Sequence, residues 1–95
     1  MTPLGFRVVC TEQEWRRIIE EKHPPLRGRQ REVVEALAHP DEIRRSQSDS
    51  AVILFYLQSG RRWVSAVVRS AVPTSRLLTA YPTDKIKEGE LLWRK

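Results

Sequence analysis

Residues 61–81 read RRWVSAVVRSAVPTSRLLTAY. Val64, Ala66 and Val68 alternate with Trp63, Ser65, Val67 and Arg69, the period of two that an extended chain imposes on its side chains. Pro73 interrupts the pattern, and a second run, SRLLTAY, takes it up again with Thr79 and Tyr81 on one face and Leu78 and Ala80 on the other. Two such runs joined by a short loop predict an antiparallel pair. If Val64, Ala66, Val68, Leu78 and Ala80 face a core, then Trp63, Arg69, Thr79 and Tyr81 project together from the opposite, open side of the sheet.

The same pattern extends backwards to Pro40. EIRRSQS and AVILFYLQ read as two further strands, with turns at Ser48 to Ser50 and at Ser59-Gly60. Upstream of Pro40 the period changes. Thr11-Glu12-Gln13-Glu14 matches a capping box, in which Thr11 accepts from the backbone of residue 14 and Glu14 reaches back. Trp15, Ile18, Ile19 and Lys22 then lie on one helical stripe until His23-Pro24-Pro25 ends it. A second helix is expected from Arg29 to Ala38 on Val33, Val34 and Leu37, stopped by His39-Pro40-Asp41. The expectation is an α+β domain over residues 1–95: two N-terminal helices packed on one face of a four-stranded antiparallel sheet. FRVVC (6–10) allows for an extra short N-terminal strand, and Trp15, Phe55 and Trp93 are expected in the core.

Composition narrows the function classes. The 95 residues are 40% hydrophobic and 31% charged, which suits one compact domain. One cysteine leaves no internal disulfide, and no window approaches the roughly 18 apolar residues of a membrane span. With no long apolar stretch in MTPLGFRVVC, a cytoplasmic protein without membrane association is expected. A single Cys and two His residues give no metal-ligand spacing, and four glycines build no phosphate-cradling loop, so no cofactor is expected. The net charge is +5, and 13 of the 17 basic residues are arginine. Guanidinium pairs phosphate bidentately and stacks on bases, which ammonium does not. Between Trp15 and Arg31, six basic residues meet only Glu20 and Glu21, an excess of four that points to a polyanion.

In order, WRRIIEEKHPPL, EALAHPDEIRRSQSD, ILFY, WVSAVVR and LLTAYPTDKIKEGELLW resemble small phage-associated and bacterial domains of the barnase, EndoU, colicin and RelE-like nuclease group. The resemblance spans almost the whole chain. It implies two N-terminal helices on a four-stranded antiparallel sheet and a toxin-like, metal-independent endoribonuclease. Its implied partner is RNA, single-stranded or tRNA-like, with an inhibitor protein as a further partner.

Metal-independent RNA cleavage needs a group to move protons and donors around a charged phosphorus centre. His23 titrates near neutrality and ends a helix, so it is either the proton carrier or a helix-end residue packed under the proline turn. His39 occupies a like position and is expected to be structural. Arg69 is the expected phosphate clamp, and Thr79 and Tyr81 the expected hydrogen-bond donors, Tyr81 with a ring that can stack on a base. Arg27, Arg29, Arg31, Arg44, Trp63 and Lys85 complete the expected substrate contacts. The alternative is a binding module of the same fold that holds RNA or a protein through its arginine-rich face.

Overall fold

A computed structural model describes residues 1–22, 24–71, 74–86 and 89–95. Its elements are β1 (Val8–Val9), α1 (Glu12–Arg17), α2 (Gln30–Ala38), β2 (Glu42–Arg45), β3 (Val52–Ser59), β4 (Arg62–Arg69), β5 (Ser75–Thr83) and β6 (Glu90–Arg94). Thr11 caps α1 as a full capping box: its hydroxyl accepts from the Glu14 N–H at 3.0 Å, and the Glu14 carboxylate accepts from the Thr11 N–H at 3.3 Å. Ile18–Lys22 continues α1 as a π-helical turn, and Pro24–Leu26 forms a 3₁₀ turn before α2.

Among the described residues the sheet has six strands in the order β1-β5-β4-β3-β2-β6. The α+β class stands, and the four-stranded antiparallel sheet is corrected to a curled, mixed, six-stranded one. β1 pairs with β5 in parallel, so Val8 and Val9 of the FRVVC run form a short strand of this sheet. β6 pairs with β2, carrying Trp93 to the rung of Ile43. Gly89 permits this: a Cβ there would collide with the Arg45 carbonyl oxygen. The meander β2-β3-β4-β5 is antiparallel throughout. Gly60, at φ +64°, opens the two-residue β3–β4 turn between Ser59 and Arg62, a backbone position that favours glycine.

The helices cover one face of the sheet. Trp15, Ile18, Leu26, Val33 and Ala36 meet Ile43, Ile53, Phe55, Val64, Ala66, Val68, Leu77 and Ala80 in one core, with Trp93 half-buried against it. Two expected core residues are corrected. Leu77, not Leu78, enters the core, because the β4–β5 ladder shifts register between Val67 and Val68. Val67 opposes Thr79, Val68 opposes Leu77, and Leu78 is the extra residue of a β-bulge. Val34 is exposed, because Val33 and Ala36 carry the buried stripe of α2.

Candidate functional site

The face turned away from the helices is not a flat wet surface. Its rungs run Glu42–Tyr56–Ser65–Tyr81, Arg44–Leu54–Val67–Thr79, and Gln58–Trp63–Thr83 across neighbouring strands. Leu54, Tyr56 and Ser65 on this face are as buried as the core. A groove of about 550 Å³ opens over it, lined by Val52, Leu54, Val67, Thr79 and Tyr81 from three strands and by Ser46, Gln47 and Ser48 from the β2–β3 loop.

That loop is held locally. The Asp49 carboxylate accepts from the Ala51 N–H at 2.9 Å, an Asx turn, and the Ser46 N–H donates to the Val52 carbonyl at 2.9 Å. Arg45 donates to the Ser50 carbonyl at 2.8 Å. Arg69, on the rung of Val52, stands at the rim of the groove with its guanidinium 3.4 Å from the Asp49 carboxylate. Half of its side chain remains exposed, so the pair leaves the cation available.

Arg69, Thr79 and Tyr81 thus come together around one groove, as their alternation requires. Their hydroxyls are turned inward, however. The Thr79 and Tyr81 oxygens are both buried, and neither Thr79 nor Ser65 has a hydrogen-bond partner for its hydroxyl among the described residues. An unpartnered buried hydroxyl costs roughly 1–3 kcal/mol, so such groups mark places where a water, an ion or a ligand completes the structure.

The remaining candidates lie elsewhere. Trp63 is on the same face but six residues from Arg69, about 20 Å along β4. Lys85 follows β5 at that far end, exposed, with its N–H near the Thr83 hydroxyl at 3.4 Å. Arg44 faces the groove side beside Leu54, but its guanidinium is engaged by the Glu42 carboxylate at 2.8 Å and the Gly89 carbonyl at 3.0 Å. Arg27, Arg29 and Arg31 belong to the helix layer, on the opposite side of the sheet. Arg29 is committed there to Glu32 at 2.6 Å and lies 3.4 Å from the Ser59 hydroxyl, while Arg27 and Arg31 are exposed. The Arg29 contact holds the Glu32 carboxyl below the usual carboxylate range. His23 lies outside the described residues, and His39 is exposed at the C-terminal end of α2.

The polar groove loop from Ser46 to Ser48 and the buried Ser65 hydroxyl were not singled out by the sequence. Ser65 alternates with Ala66 and so is legible as a residue of the open face, but its burial depends on the curl of the sheet. Among the described residues, no group of three or more His, Cys, Asp or Glu side chains could hold a metal ion, and no helix is long and apolar enough to cross a membrane. Comparison of the chain with protein-family models, curated proteins and solved structures finds no match.

Proposed function

We propose that the groove on the helix-free face is a phosphodiester site and that the protein is a metal-independent endoribonuclease acting on single-stranded RNA. The observation that carries this reading is the combination of an exposed arginine at the rim with unpartnered buried hydroxyls beneath the groove. Arg69 clamps the scissile phosphate, where a guanidinium gains most as negative charge builds in the transition state. A χ1 turn of Thr79 brings its hydroxyl to a non-bridging oxygen. The Tyr81 side chain lines the same space, with its hydroxyl turned beneath it. In the reaction the ribose 2′-oxygen bonds to phosphorus, the bond to the 5′-oxygen breaks, and a 2′,3′-cyclic phosphate forms. One proton leaves the 2′-hydroxyl and one reaches the 5′-oxygen, traffic we assign to His23. The motif order that resembles the barnase, EndoU, colicin and RelE-like group supports the same reading.

The inward turn of the Thr79 and Tyr81 hydroxyls favours a second reading, in which the groove binds RNA without cutting it. Incubating the purified protein with labelled single-stranded RNA and a chelator separates the two. Cleavage to cyclic-phosphate ends, lowered about 100- to 10,000-fold by His23→Ala, supports the enzyme. Binding without cleavage under any ionic condition leaves the binding module.

A further inference from the structure

Arg69 and Arg76 are directly opposite each other on β4 and β5. Arg76 adjoins the core residue Leu77, and Arg69 adjoins the core residue Val68, so both leave the sheet from the groove face. Like charges directly opposite across a ladder, about 5 Å apart at Cβ, are destabilising. The fold offsets this by drawing the two apart. Arg69 turns to Asp49 in the β2–β3 loop at 3.4 Å, while the Arg76 guanidinium is drawn back toward the helix layer, to Glu14 of α1 at 3.3 Å. Both arginines are half-exposed or more, so each pair is worth little and opens readily. Glu14 also keeps its capping contacts with Thr11, so releasing Arg76 does not undo α1. The next rung toward the groove is Val67–Thr79.

We propose that Arg76, together with Arg69, forms a second phosphate subsite one step beyond Thr79, so that the substrate is an RNA strand carrying a phosphate next to the one held in the groove. This rests on the groove being a phosphodiester site. Two guanidiniums that repel each other in the free protein converge on one anion between them, and Arg69 bridges both phosphates.

The probes are 2′-O-methyl uridine dinucleoside monophosphate, which cannot be cleaved, and the same molecule bearing an added 5′- or 3′-terminal phosphate. Affinities are read from amide chemical shifts at low salt. For the native protein, one of the two added phosphates should tighten binding about tenfold, the scale of a charge-assisted bidentate contact. In Arg76→Gln that ratio should fall toward one. In Glu14→Gln, which keeps the capping box and removes the competing charge, the ratio should rise. A ratio unchanged in Arg76→Gln, or no gain from either phosphate in the native protein, overturns the second subsite while leaving the groove. Failure of the native protein to bind any of the three probes overturns the phosphodiester site itself.

Discussion

Val68 is paired with Leu77, while its neighbour Val67 is paired with Thr79. That single slip decides which leucine enters the core and keeps Thr79 and Tyr81 on the groove face. Leu77→Ala should therefore cost about 2–5 kcal/mol, the range for truncating a buried leucine, and Leu78→Ala less than half as much. Urea unfolding of the two variants compares them, and equal losses would contradict the bulge.

The Arg69–Asp49 pair predicts opposite effects from its two members. Arg69→Ala should weaken RNA binding and lower the salt dependence by roughly 0.7 log units per log unit, one single-strand phosphate contact. Asp49→Asn keeps an acceptor for the Ala51 N–H and releases the arginine, so affinity should rise. Binding titrations across a salt series read both.

The buried hydroxyls predict a conflict between stability and function. Ser65→Ala and Thr79→Val each remove a hydroxyl with no partner among the described residues, so neither should destabilise, and a gain of up to about 1 kcal/mol is expected. Thr79→Val should nonetheless weaken RNA binding or cleavage. Thermal melting beside an RNA assay tests the pair. A clear loss of stability in either would mean that the hydroxyl is satisfied in the folded protein.

Acid should loosen the helix layer. Glu32 is held below its ordinary value by its hydrogen bond from Arg29, with Ser59 adding to the effect, and Glu14 is held low by its bonds with Thr11. Folded values below the unfolded ones mean that these carboxylates stabilise the protein fully above the ordinary range, about pH 4.3, and lose that contribution as pH falls through the folded values. Glu32 is more than a third exposed on its side chain, so the effect is modest. Melting temperature should decline below about pH 4.3, and Glu32→Gln should flatten that decline.

Much of this architecture was legible because it rests on local chemistry. Thr11 and Glu14 announce a helix start, Ser59-Gly60 a hairpin turn, and the alternation from Trp63 to Arg69 a helix-covered and a helix-free face, though not that the helix-free face is itself largely buried. The bulge at Leu78 was not legible, since LL satisfies either register until the opposing strand chooses. β6 is not legible because ELLWR carries no extended alternation, and its pairing depends on Gly89 approaching Arg45. The basic stretch from Trp15 to Arg31 misled in a particular way. It ends between residues that pair across its limits, for Arg16 bonds Glu12 and Arg29 bonds Glu32. Counting charge along the chain therefore overstated the free cations of the helix layer, and nothing in that count showed that they lie behind the sheet from Thr79 and Tyr81.

Amide chemical shifts of the protein titrated with a non-cleavable 2′-O-methyl oligouridine distinguish the two faces at residue resolution. If the groove is the RNA site, shifts concentrate at Ser46 to Ser48, Val67, Arg69, Thr79 and Tyr81 and leave Arg27, Arg29 and Arg31 largely unmoved. Shifts confined to Arg16, Arg17 and the start of α2, with the groove silent, would place the RNA on the helix layer and contradict the site proposed for the curled sheet.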